Sequence, residues 1–342
     1  MGYPIFSEIK PKYMADQFSA GRREFMMRMA LLAGSTLVSG DTIMGAGRGE
    51  AEVQGTGVMG MQGAGMTVTQ KAGLTGAQGT GMTVRQVIAA LLADIPGAPF
   101  PKTVDTIKAG SLDQTVTGIV TTMFATNEVI AKAIRLGASF IIAHEPTYYN
   151  HADETKWLGD DPVLKAKQGV LKEHGITVWR FHDGIHQHNP DGIRMGVMQA
   201  LGWEKLYNPN DPELVVAPVA TMGDMIALLK KNLGIDHVKY IGDPGQMCSK
   251  LVLLPGAAGG QKQIGAIQQY QPDLLICGEL NEWETSEYVR DARYLGEKIA
   301  LVVLGHSVSE EPGMEWLVPV LQQKAPGIPV THIVSGDAFS WG

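Results

Sequence analysis

Three segments of this chain place a histidine just past an apolar, strand-like run. They are Ala143-His144-Glu145-Pro146, Phe181-His182-Asp183-Gly184-Ile185-His186 and Gly305-His306-Ser307-Val308-Ser309-Glu310. Imidazole nitrogen mixed with carboxylate oxygen suits zinc, iron or manganese, whereas calcium and magnesium call for more oxygens. His182 and His186 are four apart and face one centre if their loop makes a single turn. His306 and Glu310, also four apart, share one face of a first helical turn. Together His144, Glu145, His186, His306 and Glu310, with His182 as a further candidate, exceed the three protein ligands of a catalytic zinc. The donor set fits two divalent transition-metal ions sharing a carboxylate.

Each of these residues has a competing structural role. A single buried histidine is ordinarily satisfied by backbone, and it is the company of the others that points to a metal. Ser307-x-x-Glu310 matches a capping box, which would claim Glu310 and leave His306 unexplained. Asp191, just before Gly192, reads as an N-terminal helix cap. His188 lies outside the ligand set.

Convergence of such distant residues requires a particular scaffold. In an open α/β sheet the ligand crevice lies at the carboxyl ends of the strands, where all three histidine segments stand. The hydrophobic pattern predicts strands near 117–124, 139–143, 176–181, 213–217, 237–241, 250–254, 273–277, 299–304 and 329–334. It predicts helices near 83–94, 127–135, 161–174, 191–201, 222–233, 260–269, 282–295 and 312–323. This alternation is that of an α/β fold with mixed sheets in two halves, 82–208 and 209–342, divided at the turn-rich stretch 205–212.

The first forty residues differ from the rest. Arg22-Arg23 before the short apolar stretch Met29 to Gly40 has the character of a twin-arginine export signal, too short for a stable membrane span. Residues 41–81 are a glycine-rich linker containing a local duplication, Gln62–Gln70 and Gln78–Gln86. The expectation is an exported, periplasmic protein, with cytoplasmic residence as the alternative if the arginine pair is fortuitous. A formal charge of −7, without a basic block in the body, argues against nucleic acid or an anionic membrane as partner and leaves small molecules or metal ions. Cys248 and Cys277 lack zinc-ribbon or redox spacing and read as buried thiols.

From about Met82 onward the chain resembles the NIF-three-like dinuclear-metal family, many of whose members carry the name GTP cyclohydrolase I type 2. The resemblance rests on the strand-His-x-Pro turn at 144–146, the His-x3-ligand loop ending at Asp191-Gly192, Cys277-Gly278-Glu279, and Gly305-His306-x3-Glu310. It implies two packed α/β halves, a two-metal centre and a ring-shaped homo-hexamer with the centre facing inward. Two coupled departures stand out: the family commonly has His-His-Pro where Glu145 is the middle residue, and an aspartate at the position of His186. Trp283 stands near where relatives often carry a histidine.

The expected function is a metal-dependent hydrolase acting on a small molecule, with a nucleotide as the substrate the family name suggests, although no phosphate loop is present. Glu279 is the candidate catalytic acid or base. Tyr148, Tyr149 and Trp283 either stack on a heterocycle or pack in the core. The alternative is a non-catalytic metal-binding, metal-delivery or scaffold protein.

Overall fold

The computed structural model describes residues 81–342; the Arg22-Arg23 segment and the glycine-rich stretch up to residue 80 lie outside the described residues. The first sheet contains β1 (Ile107–Ala109), β2 (Ile119–Thr122), β3 (Phe140–Ala143), β4 (Thr177–Arg180) and β10 (Val330–His332), in the order β1-β4-β3-β2-β10. The second contains β5 (Leu214–Thr221), β6 (Lys239–Ile241), β7 (Met247–Leu254), β8 (Leu274–Cys277) and β9 (Ala300–Val303), in the order β5-β7-β8-β9-β6. Both are mixed, with parallel strands at the centre and antiparallel strands at the β1, β5 and β6 edges. The expected α/β architecture with mixed sheets is therefore present.

Every residue of β2, β3, β4 and β8 is buried. Parallel strands covered on both faces read as continuous apolar runs, which is why these were visible in the sequence. Their registers end level: Thr122 pairs with Ala143 and Ala143 with Arg180, while Leu254 pairs with Cys277 and Cys277 with Val303. The residues leaving these strands consequently emerge side by side.

The helices are α1 (Val84–Leu92), α2 (Asn127–Arg135), α3 (Pro162–Glu173), α4 (Asp183–Gln187), α5 (Gly192–Leu201), α6 (Met222–Leu233), α7 (Gly260–Tyr270), α8 (Glu287–Tyr294) and α9 (His306–Lys324). Helices α5 and α9 join the two sheets. Ile193 of α5 packs in the first-sheet core with Met314, Leu317 and Leu321 of α9, while Val197, Met198 and Leu201 pack in the second. Their backbones touch because two glycines meet: a Cβ on Gly196 would lie 2.3 Å from the Pro312 carbonyl oxygen, and one on Gly313 would lie 2.5 Å from Ile193 Cα.

The structure adds elements and moves boundaries. Strand β1 and the five-residue α4 were not anticipated. Helix α9 starts at His306 rather than 312 and carries Pro312 and Pro319 within it. The helix expected over 282–295 is a π turn, Glu282–Ser286, followed by α8. Strand β10 pairs with β2, so residues 330–332 of the expected second half belong to the first sheet. No helix among the described residues is long and apolar enough to cross a membrane. Cys248 and Cys277 are buried free thiols, pushed up by burial to about 11 and about 12.

Candidate metal centre

Four imidazoles turn the same atom inward. His144, wholly buried at the end of β3, has Nδ1 3.2 Å from the Phe181 carbonyl oxygen. A carbonyl only accepts, so Nδ1 carries the proton and Nε2 presents its lone pair. His182 Nδ1 lies 3.1 Å from Asp183 Oδ1, His186 Nδ1 lies 3.0 Å from Asp191 Oδ2, and His306 Nδ1 lies 3.2 Å from Glu279 Oε2. An outer partner of this kind, hydrogen-bonded for His144, His182 and His186 and an ion-pair contact for His306, is the arrangement that fixes the ring and raises the basicity of a metal-ligating histidine.

Two carboxylates complete the centre. Glu310 Oε2 is 3.1 Å from His306 Nε2 and 3.5 Å from His144 Nε2; Glu145 Oε1 is 3.3 Å from His306 Nε2 and 3.6 Å from His182 Nε2. The ligand atoms of His144, His182 and His186 lie within 4.8 Å of one another, as do those of His144, Glu145 and Glu310. Every residue expected in the ligand set is thus brought to one place. Among them, His144 Nε2 is buried without a hydrogen-bond partner. A buried polar atom left so requires an explanation, and an imidazole lone pair facing carboxylates fits a cation.

The electrostatics agree. Burial alone would raise the Glu310 carboxyl, but the adjoining His144 and His306 imidazoles outweigh it and hold the group far below the usual carboxylate range. Glu145 is likewise lowered, burial being overcome by His306 and the neighbouring imidazoles. Burial and the adjacent His144 drive His182 down to about 4, which keeps its ring neutral and able to ligate. Burial would lower His306 too, yet Glu145 and Glu310 lift it to about 10. The two carboxylates therefore demand positive charge.

Residues that the sequence did not single out hold the candidate ligands in place. Arg180 ends β4 fully buried and donates from Nε to the His144 carbonyl at 3.1 Å and from Nη2 to Glu145 Oε2 at 3.2 Å. Asp105 accepts from the backbone N–H groups of His182, Asp183 and Gly184 at 2.7, 2.9 and 2.7 Å, shaping the turn that carries His182 and His186. Glu311 ties the second turn of α9 to the chain leaving β2 and β10, accepting from Met123 N at 3.1 Å and Ser335 N at 3.0 Å. Gly256, with φ +65°, lies against Glu310: a Cβ there would come within 2.2 Å of Oε1.

The competing roles resolve differently for each residue. Asp191 does cap α5, accepting from Arg194 N at 3.1 Å with Oδ1, while its other oxygen orients His186. The capping box at Ser307 does not form, because Gly305 precedes the first residue of α9 and Glu310 points into the centre. His188 turns away, with Nδ1 3.0 Å from the Pro190 carbonyl oxygen and its ring edge-on to Trp316.

The centre opens into a cleft of about 1560 Å³. Tyr149, Lys167, Arg194, Glu279, Phe339 and Trp341 are among its walls. Tyr148 is buried, with its hydroxyl 3.4 Å from the Lys108 carbonyl oxygen, and Trp283 is 75% exposed away from the cleft. Of the three aromatic residues considered for stacking, only Tyr149 is placed for it.

The chain resembles known proteins. It is 26% identical over 220 residues to a Clostridium perfringens protein named GTP cyclohydrolase 1 type 2 homolog, covering 60% of this chain and 78% of that one. An Escherichia coli K12 protein of the same name is 26% identical over 217 residues, 60% of this chain and 80% of its own. The fold matches the crystal structure of Staphylococcus aureus hypothetical protein SA1388 with a TM-score of 0.61 at 19% identity, over 76% of this chain and 99% of that one. It also matches reduced HcgD from Methanocaldococcus jannaschii, with a TM-score of 0.54 at 16% identity over 73% and 97% of the respective chains. The family model Duf34/NIF3 (NGG1p interacting factor 3) matches residues 82–337, the segment that builds both sheets and every ligand candidate, and the chain belongs to that family.

Proposed function

We propose that this protein is a metal-dependent hydrolase of a small, nucleotide-like molecule, with His144, Glu145, His182, His186, His306 and Glu310 holding the metal. The observation that carries this reading is the gathering of four imidazoles, Nδ1 of His144, His182 and His186 hydrogen-bonded outward and that of His306 3.2 Å from Glu279, around two buried carboxylates at the floor of a cleft, with Nε2 of His144, His182 and His306 turned toward those carboxylates. Bound divalent ions would supply Lewis-acid activation of a substrate oxygen and of water.

The chain's own residues have separable tasks in this scheme. Glu279 Oε2, 3.2 Å from His306 Nδ1, favours a proton on that nitrogen, and its half-exposed side chain leaves Oε1 to exchange a proton with the cleft. Tyr149 offers a ring face to a planar base, and the buried Lys167 amine, 5.4 Å from the centre of that ring, offers a donor to a ligand lying against it. The shared name of the curated relatives supports a nucleotide substrate.

The test is turnover by metal-loaded protein on a panel of nucleoside triphosphates and small phosphate and carboxylate esters. Hydrolysis that requires added metal and disappears in His306→Ala supports the reading. A fully loaded protein that hydrolyses none of them contradicts it.

A further inference from the structure

The inward-facing atoms sort into two sets of unlike chemistry. Each imidazole has a single inward nitrogen, so His144 can complete only one set. Its ring stacks on His182 with centroids 4.7 Å apart and meets His186 edge-on at 5.1 Å, while His182 and His186 are 5.0 Å apart. His144 borders both sets, its Nε2 also lying 3.5 Å from Glu310 Oε2, and grouping it with the two imidazoles gives a triad of nitrogens. What remains is His306 with Glu145 and Glu310, whose oxygens lie 3.3 and 3.1 Å from His306 Nε2.

We propose that the centre is a mixed-metal site: the His144-His182-His186 triad takes a late, borderline-soft ion such as Zn2+, and the Glu145-Glu310-His306 triad takes a harder ion such as Mn2+. This inference rests on the metal-centre part of the function proposed above. Three neutral imidazoles favour metals late in the first-row series, whereas two carboxylates and one imidazole favour an ion that prefers oxygen. The surroundings reinforce the difference. Asp183 and Asp191 make the His182 and His186 rings more basic. Arg180 occupies only Oε2 of Glu145, leaving Oε1 as an oriented oxygen ligand. Glu145 and His186, the two positions where the sequence departs from the pattern it resembles, fall one in each triad. That exchange therefore gathers nitrogen on one side and oxygen on the other.

The experiment strips the full chain with a chelator and re-equilibrates it with equimolar excess Zn2+ and Mn2+. Metal content per chain is then measured by mass spectrometry, and the manganese environment by electron paramagnetic resonance. The expected result is one zinc and one manganese per chain, with the six-line signal of isolated Mn2+. His186→Ala should weaken zinc retention by about tenfold or more and spare manganese, and Glu145→Gln should do the reverse. His186→Asp should draw manganese into the first triad and broaden the signal by coupling. Two ions of the same element in the unaltered protein, which requires no variant to fold, would overturn the inference while leaving the hydrolase reading intact. Equal loss of both metals in both variants would also overturn it. A chain that takes up no metal would remove both the inference and the function on which it rests.

Discussion

Arg180 and Glu145, the last residue of one strand and the second residue beyond its neighbour, form a buried pair with Nη2 3.2 Å from Oε2. The Arg180 side chain is fully buried and the Glu145 side chain 9% exposed. Removing one partner leaves the other charged and buried, so Arg180→Met should cost about 3–5 kcal/mol in denaturant unfolding. The double variant Arg180→Met with Glu145→Met should recover most of that loss. A single-variant cost within experimental error would show that the pair does not organise the site.

Asp105 shapes the turn that carries His182 and His186 without itself facing the centre. Asp105→Ala deprives three backbone N–H groups of their acceptor, which should cost about 1–3 kcal/mol. Because two ligands then lose their fixed orientation, metal affinity should fall about 10–100-fold in competition with a chelator. Unchanged affinity would mean the turn is held by other contacts.

The strands were legible because the parallel centre of each sheet is buried on both faces, leaving unbroken apolar runs such as Phe140–Ala143 and Leu274–Cys277. Strand β1 was not, since Ile107-Lys108-Ala109 is too short to show a period. The return of β10 to the first sheet depends on long-range pairing that no local pattern encodes. The start of α9 was obscured by Pro312, which reads locally as a helix opener but sits one full turn and more inside the helix. At the site, the ligands announced themselves by spacing. Arg180 and Asp105 did not: an arginine closing a strand and an aspartate in a loop are ordinary solvent-facing patterns, and only the packed structure shows what they hold.

Lys167 supplies a pH signature independent of metal. Its amine, buried beside Tyr149 and donating to the Thr147 carbonyl at 2.8 Å, is pushed by desolvation from 10.5 down to about 8. Between those values the unfolded chain binds more protons than the folded one, so rising pH favours the folded state, whereas below about 8 the cost of burying the charge is fully borne. Relative to Lys167→Met, the unaltered protein should therefore gain on the order of 2 kcal/mol of stability between pH 8 and 10.5. A difference that stays flat across that window would place the amine in water.

Export through the Arg22-Arg23 segment is proposed from the sequence. Replacing both arginines with lysine should retain the protein in the cytoplasmic fraction. Normal export of that variant would refute the proposal.

Binding of transition metal through His144, His306 and Glu310, proposed above, is checked by metal analysis of protein purified from its native compartment. The unaltered chain should carry bound transition metal, and the variant with all three residues changed to alanine, shown to be folded by circular dichroism, should carry none above background. Metal content unchanged by the triple substitution, or an unaltered chain that arrives metal-free and takes up none when offered it, would show that these residues do not form a metal centre.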